Sequence, residues 1–433
     1  MTPQENDVLT RTGANTPMGK LMRQYWIPAA MSKELAPDGA PMRLMLLGEK
    51  LIAFRDSQGR AGILDHRCPH RNVSLFFGRN EYGGIRCVYH GWKYDVSGAC
   101  TDMMNVPNAA ELKMRVRARA YQVEERNGIV WVYMGQAEHA PPLPEIEPTL
   151  CDESDIVIRF TQRECNWLQA VEGELDTSHV GVLHLGAVAA TALPSETGDS
   201  MLVANKAPEY VLKETDFGHT YAAYRTMDDG RKYWRIAHFL MPFWCMPPIN
   251  ALSTNVLARG YIPMDDTHTM IVAIETKGAR VTNREGSVTG VSQNFPYLPN
   301  TTDWYGRWRL RANMENDFEI DRELQRTKSF SGIEGVQLQD HAIQVSMGEI
   351  SDRSLEFLSP SDVMVVRIRR LLLRMAGELQ ETSQTPESAV RPELFAGVRG
   401  GHYIADGNAD WFEAYERQRD AAPPPFAAQT AAE

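Results

Sequence analysis

Short alternating runs of apolar and polar residues fill the first third of the chain. Arg43-Leu44-Met45-Leu46-Leu47 and Lys50-Leu51-Ile52-Ala53-Phe54-Arg55 flank Gly48-Glu49, a pattern that predicts a β-hairpin. Asp56-Ser57-Gln58-Gly59 reads as a turn, and Tyr94-Asp95-Val96-Ser97-Gly98 as a strand followed by a turn. Residues 128–134 are β-branched and aromatic and predict another strand. Together, residues 42–134 predict a small all-β unit. Before it, residues 9–35 read as a short helix and an irregular arm, with Tyr25 and Trp26 capping a core edge. Pro141, Pro142, Pro144 and Pro148 mark a boundary near residues 140–150.

Beyond the boundary the period changes. Residues 166–184 read helical. Strands are predicted at 210–226, 233–241, 254–263 and 269–276, joined by turns such as Asp228-Asp229-Gly230 and Met264-Asp265-Asp266. Consecutive strands with local turns favour an antiparallel sheet. Residues 303–329 suit either a helix or an irregular excursion. Residues 361–378 form an amphipathic helix with Ser361 as N-cap. Val365, Ile368, Leu372 and Met375 share its apolar face; Arg367, Arg370 and Arg374 share another, either solvated or a docking face for an electron donor. No internal repeat is present. The class is α+β, with domains at 1–150 and 151–420 and a mobile tail at 421–433.

Composition narrows the function. A chain of 433 residues can bury a core in each of two domains. A net charge of −11 disfavours a nucleic-acid partner. No apolar run is long enough to span a bilayer, and the polar, acidic N-terminus does not read as a secretory signal. A cytoplasmic protein is expected, with no membrane partner. The six cysteines, Cys68, Cys87, Cys100, Cys151, Cys165 and Cys245, show no disulfide pattern and are expected as free thiols where they bind no metal.

Two of those cysteines sit beside histidines. Cys68-Pro69-His70 and Cys87-Val88-Tyr89-His90 each place a thiolate and an imidazole in one tight loop. Two such loops can clamp one centre from both sides. A Rieske [2Fe–2S] cluster is held by two cysteines on one iron and two histidines on the other. A structural Cys₂His₂ zinc site is the alternative. Zinc fingers usually keep cysteines in one pair and histidines in the other, whereas here both pairs are mixed.

A second set of donors lies in Glu172-Gly173-Glu174-Leu175-Asp176-Thr177-Ser178-His179-Val180-Gly181-Val182-Leu183-His184. On an ideal helix, five steps of about 100° leave His179 and His184 roughly 140° apart. To share a metal, the helix must end, bulge or unwind between them, and Gly181 is a natural break. Asp176 and His179, three apart, share a helix face, so the carboxylate can fix the imidazole tautomer. Two imidazoles and one carboxylate with open positions form the face used by non-haem Fe(II) oxygenases. Two ordinary histidines on a polar helix are the alternative, but a single-electron cluster needs somewhere to send its electrons.

Arg67-Cys68-Pro69-His70-Arg71, Cys87-Val88-Tyr89-His90-Gly91-Trp92 and the stretch from Asn166 to His184 resemble the metal motifs of Rieske non-haem iron aromatic-ring-hydroxylating oxygenases. The opening Thr10-Arg11-Thr12-Gly13 and the stretch from Gly19 to Pro28 are similar to the phthalate-dioxygenase-like group, which works with α subunits alone in trimers or stacked trimers. The resemblance implies an all-β Rieske domain and a helix-grip catalytic domain. It implies that Cys68, His70, Cys87 and His90 hold the [2Fe–2S] cluster and that His179 and His184 bind mononuclear Fe(II). It makes Asp176 a bridge to His90 of a neighbouring subunit. The third iron ligand would be a downstream carboxylate: Asp340 in Gln337-Leu338-Gln339-Asp340-His341 matches best, with Glu334, Glu349 and Asp352 as competitors.

The chain has neither a convincing dinucleotide fingerprint nor a plant-type ferredoxin cysteine run. The expected partners are therefore O2, an aromatic acid and a separate flavin and iron–sulfur reductase fed by NADH or NADPH. An O-demethylating monooxygenase acting on aryl ethers is the alternative chemistry. A Rieske electron carrier without oxygenase activity and a zinc-stabilised binding protein are alternatives of other classes. Among the strand cations Arg225, Arg231, Lys232, Arg235 and Arg259, Arg225 is the preferred partner for a substrate carboxylate. Phe239, Phe243, Trp244 and Ile249 suit either pocket walls or core.

Overall fold

The computed structural model describes residues 1–186, 198–249, 251–252, 256–277 and 296–422. The predicted hairpin forms from Met42–Leu46 and Glu49–Arg55. Its two turn residues, Leu47 and Gly48, take φ of 47° and 75°. That hand of turn matches the twist of a hairpin, and glycine adopts it without strain. The hairpin ends a six-stranded antiparallel sheet in the order Trp26–Met31, Ile129–Tyr133, Ala120–Arg126, Ala61–Asp65, Glu49–Arg55, Met42–Leu46. A four-stranded sheet, Arg79–Asn80, Ile85–Arg86, Trp92–Tyr94 and Cys100–Met103, carries the two Cys/His loops at its end.

The hairpin tip is also a joint. The amides of Leu47 and Gly48 donate to the carbonyls of Pro263 and Met264 at 3.0 and 2.8 Å. Pro263 closes a strand of the second sheet, which runs antiparallel through Ile156–Arg163, Thr269–Thr276, Leu257–Pro263, Trp244–Met246, Lys232–Leu240, Gly218–Thr226 and Glu209–Thr215. Gly401–Ala405 adds to the first half of Lys232–Leu240. The single strand expected at 210–226 is two strands, because the chain folds back at Asp216-Phe217 and pairs Thr215 with Gly218. The strand expected from residue 254 is described from Leu257; residues 253–255 lie outside the described residues.

Helices cover one face of this sheet. Trp167–Leu175 packs on its central strands and Val363–Thr382 on Gly218–Thr226. The latter starts two residues later than expected. Ser359 and Asp362 first close a short 3₁₀ turn through the Ser359 amide to the Asp362 carboxylate at 2.6 Å. The N-terminal arm holds two helices, Pro3–Thr10 and Pro17–Met22, packed on Val363–Thr382. Asn166 and Trp167 donate to the carbonyls of Thr10 and Leu9 at 2.9 and 3.2 Å, tying the arm to the start of the Trp167–Leu175 helix. Residues 303–329 are an excursion with a 3₁₀ stretch, Met314–Glu319, and a short helix, Arg322–Thr327. Of the expected tail, 423–433 lies outside the described residues.

One buried ion network fixes the Trp167–Leu175 helix. Glu172 accepts from Arg353 Nη2 at 2.8 Å and Arg369 Nε at 2.6 Å, and Arg369 also grips Glu356 with both terminal nitrogens at 2.6 and 3.0 Å. Arg369 is therefore buried, whereas its neighbours Arg367 and Arg370 are exposed. The Arg353 side chain is 0% exposed, so it has no water to fall back on. Glu172→Ala should cost about 3–5 kcal/mol by leaving two guanidiniums short of a counter-charge. Denaturant unfolding checks this; a loss below about 1 kcal/mol would mean that water replaces the carboxylate.

Candidate metal centres

Each Cys/His loop is a tight turn that starts at its cysteine. The Asn72 amide donates to the Cys68 carbonyl at 2.8 Å, and the Gly91 amide to the Cys87 carbonyl at 3.0 Å. Asn72 and Gly91 take φ of 58° and 74°, which asparagine and glycine adopt most easily. The turns place the cysteines inside and the histidines outside: Cys68 and Cys87 are buried, His70 and His90 half-buried. The imidazoles stand 4.5 Å apart between centroids, and His70 stacks on Trp92 at 4.2 Å. Trp92 is pinned in turn by its Nε1 donating to Asn105 Oδ1 at 2.8 Å. The Tyr94 hydroxyl lies 3.3 Å from Cys68 Sγ. Burial, and then the neighbouring Cys68, push the free Cys87 thiol up.

These four donors do not converge on one point. Among the described residues, only His179, His184 and Asp340 bring three donor atoms within 4.8 Å of one another. A tetrahedral zinc ion would draw N and S donors to about 3.3–3.8 Å of each other, given bonds of about 2.0–2.3 Å. Two sulfurs inside and two imidazoles outside, spread more widely, suit a two-iron cluster. The other cysteines are free and buried.

The second centre is built where a helix stops. Asn166 caps Trp167–Leu175 by accepting from the Leu168 amide at 3.1 Å, and Asp176 leaves the helix with extended backbone. The break thus precedes His179 instead of falling at Gly181. Asp176 Oδ1 accepts from the amide and hydroxyl of Ser178 at 2.7 and 2.6 Å, and Oδ2 lies 3.2 Å from His179 Nδ1. The aspartate–histidine contact therefore comes from a turn, not a shared helix face. A π-helical turn, Val180–His184, follows and carries His184 back to His179. Such wide turns recur at functional sites.

His179 Nε2 and His184 Nε2 lie 3.1 Å apart, and Asp340 Oδ1 stands 3.3 and 3.2 Å from them. Donors about 2.1 Å from one ion at right angles would be about 3.0 Å apart, so the triangle fits a single metal. Burial pushes the Asp340 carboxyl up, but the two imidazoles pull it well below the usual range. Burial also disfavours charge on His179, yet Asp176 and then Asp340 raise it to about 10. Protons are held where a cation is wanted. Glu334, Glu349 and Asp352 are exposed and lie outside this group, and His341 is buried elsewhere, against Phe318. Sequence reasoning missed Gln339, whose Oε1 lies 2.7 Å from His184 Nδ1.

Beside this triad the sheet carries two buried arginines. Cross-strand pairing puts Arg225 opposite Tyr233, and Arg235 opposite Ala223, on one face. Tyr233 packs against Leu185, the residue after His184. Arg225 spends its Nε on the Asn205 carbonyl at 2.6 Å; its two terminal nitrogens are buried and have no partner among the described residues. Arg235 Nε donates to Thr177 Oγ1 at 2.9 Å, next to Asp176. Burial, then Arg235, lower Arg225 to about 10. Among the described residues the buried hydroxyls of Tyr210 and Tyr221 make no close hydrogen bond, with Ser178 and Thr177 beside them. The remaining strand cations are engaged: Arg231 with Asp229, Lys232 over the Tyr224 ring and Arg259 with Glu174. Phe239, Phe243 and Trp244 belong to the buried core.

Two groups of variants separate the centres. Cys68→Ser and His90→Ala should abolish the visible absorbance of an iron–sulfur cluster. His179→Ala, His184→Ala and Asp340→Ala should keep that absorbance but lose a separate iron atom, measured by metal analysis. Glu334→Ala should keep both. Loss of iron in Glu334→Ala with retention in Asp340→Ala would reassign the third donor.

Comparison with known proteins is consistent with both centres. A LigXa C-terminal-domain-like family model matches residues 132–422, and a Rieske [2Fe-2S] domain model matches residues 25–116. The chain is 44% identical over 423 residues to the 3-chlorobenzoate-3,4-dioxygenase oxygenase subunit of Comamonas testosteroni, covering 96% of this chain and 98% of that one. It is 35% identical over 394 residues to the phthalate 4,5-dioxygenase oxygenase subunit of Pseudomonas putida, covering 86% and 85%. Its fold is similar to that of crystalline dicamba monooxygenase, with a TM-score of 0.55 at 16% identity over 84% of this chain and 100% of that one. The family's cofactors are a Rieske [2Fe–2S] cluster and a mononuclear iron, and a separate reductase supplies its electrons. The α+β reading holds, with an all-β Rieske domain joined to an antiparallel catalytic sheet flanked by helices. The chain belongs to the Rieske non-haem iron aromatic-ring-hydroxylating oxygenases, as an oxygenase subunit.

Proposed function

We propose that this chain hydroxylates an aromatic acid, a halogenated benzoate or a phthalate-like acid, using O2 and electrons from a reductase fed by NADH or NADPH. The observation that carries the substrate class is Arg225. Two buried, unpartnered guanidinium nitrogens cost free energy unless something anionic meets them. A carboxylate accepts two parallel hydrogen bonds from such a fork. Arg235 nearby adds a second positive charge, and the free Tyr210 and Tyr221 hydroxyls can donate to the same anion. The relatives named for chlorobenzoate and phthalate support the same class.

On this reading Cys68, His70, Cys87 and His90 hold the cluster, and His179, His184 and Asp340 hold the iron. Bound there, the iron activates O2 and the cluster supplies single electrons. The chain's own groups do the rest. Arg225 orients the ring through its carboxylate, and the covering helices exclude water. Asp176 holds the Nδ1 proton of His179, leaving Nε2 free for metal.

The working unit is a homo-oligomer, a trimer or stacked trimers. Among the described residues, Asp176 hydrogen-bonds to Ser178 and His179 and makes no contact with His90. Around the His90 loop lie exposed Val88, Tyr89 and Met104, an apolar rim that a second subunit would cover. The cluster of one chain then faces the partner subunit's Asp176. Residues 1–150 form the arm and cluster domain, 151–420 the catalytic domain and 421–433 the tail. The enzyme is assigned to the cytoplasm; no described helix is long and apolar enough to cross a membrane.

Three experiments test this. Arg225→Met should weaken binding of an aromatic acid on the order of 100-fold while leaving both metal centres intact. A substrate panel should turn over carboxylates or sulfonates in preference to neutral arenes; the reverse preference rejects the class. Asp176→Asn should keep both metals but slow cluster reoxidation by orders of magnitude when the pre-reduced enzyme meets substrate and O2. Normal reoxidation would remove Asp176 from the electron route.

A further inference from the structure

His184 is held by a residue that never titrates. Gln339 is fully buried, its Oε1 is 2.7 Å from His184 Nδ1, and its Nε2 donates to the Ile333 carbonyl at 2.8 Å. The second contact decides the first. A backbone carbonyl can only accept, so the amide nitrogen must face Ile333 and the amide oxygen must face His184. An amide oxygen can also only accept. His184 must therefore carry its hydrogen on Nδ1, which leaves the Nε2 lone pair facing His179 and Asp340 at 3.1 and 3.2 Å.

His179 is held differently, because its Nδ1 meets the carboxylate of Asp176. A charged acceptor binds an N–H roughly twice as strongly as a neutral one and raises the basicity of the far nitrogen. The two imidazoles are therefore unequal donors. One is polarised by a carboxylate on a loop, and the other is locked by an amide on the Val336–Ser346 helix beside Asp340.

We propose that Gln339 is a positioning residue that fixes His184 in its Nδ1–H tautomer and so presets Nε2 for the metal. The inference rests on the reading that His179, His184 and Asp340 hold iron. Gln339 and Asp340 are consecutive on one helix, so a single element supplies both a ligand and the lock on another ligand. Helix movement would then disturb two of the three donors together.

The test uses the enzyme with its cluster intact and its mononuclear iron removed by mild chelation. Gln339→Met keeps the chain length but neither hydrogen bond. Gln339→Asn keeps the amide but is one methylene too short to span from His184 to Ile333. Anaerobic titration with Fe2+ and with Co2+ should show about 10–100-fold weaker binding in both variants. In the Co2+-loaded wild type, proton NMR should show shifted, exchangeable N–H signals from both imidazoles; the variants should lose the one from His184. Affinity within about threefold of wild type, or both N–H signals retained, overturns the inference alone. A wild type that takes up neither metal at this site overturns the triad reading and the inference with it.

Discussion

Three electron-rich atoms, one of them a carboxylate oxygen, are held within 3.3 Å of each other beneath the catalytic sheet. Without a cation this arrangement is tolerable only if protons stand in for it. The carboxylates of Asp176 and Asp340 raise His179 and the two imidazoles lower Asp340, the directions such stand-in protons require. Keeping the three atoms there demands stiff supports. Glu172 and its two arginines hold the helix that ends at Leu175, Asn166 ties the same helix to the N-terminal arm, and Gln169 donates to the Gln344 carbonyl at 2.8 Å on the helix that bears Asp340. The triad is thus braced from both sides.

A few residues away, the charge is reversed. Arg225 and Arg235 repel each other in a buried site, and the loop 176–178 lies between them and the triad, touching His179 through Asp176 and Arg235 through Thr177. The molecule therefore keeps two incomplete charge clusters side by side. On the proposed reading one is completed by a metal cation. On the same reading the other is completed by the substrate's carboxylate, whose ring is thereby brought next to the iron. Substrate selection and metal selection draw on the same physics with opposite signs.

Local contacts were legible in the sequence and distant ones were not. The hairpin at Gly48, the individual catalytic strands and each Cys/His loop depend on neighbours a few positions apart, and local pattern reads those, whereas the pairing of Ile156–Arg163 with Thr269–Thr276 spans more than a hundred positions. The spacing of His179 and His184 announced that a regular helix could not serve, but not that the helix would end at Leu175 and resume as a π turn. Gln339 reaches His184 across 155 positions, Arg235 reaches Thr177 across 58, and Arg353 reaches Glu172 across 181. No pattern along one chain marks such pairs, because each residue looks like an ordinary polar position until the fold brings its partner close. Arg225 stood out as one strand cation among five; two buried terminal nitrogens with no partner among the described residues are what separate it from the rest.

The cluster loops add a constraint that the single chain cannot satisfy. Their turns bury the sulfurs and leave the imidazoles half-buried, so on the proposed reading the histidine edge would be where an electron leaves the cluster these residues would hold. That edge is flanked by exposed apolar side chains, Met104 at 70%, Val88 at 55% and Tyr89 at 51% exposure, which water solvates poorly. The Asp176 turn, meanwhile, spends Oδ1 on both the amide and the hydroxyl of Ser178, and Oδ2, which meets His179, has a second lone pair to offer. A surface that needs covering and a carboxylate that can accept one more imidazole are complementary in shape of demand. On the proposed reading both would be met where two copies of this chain meet, the cluster end of one over the iron site of the other.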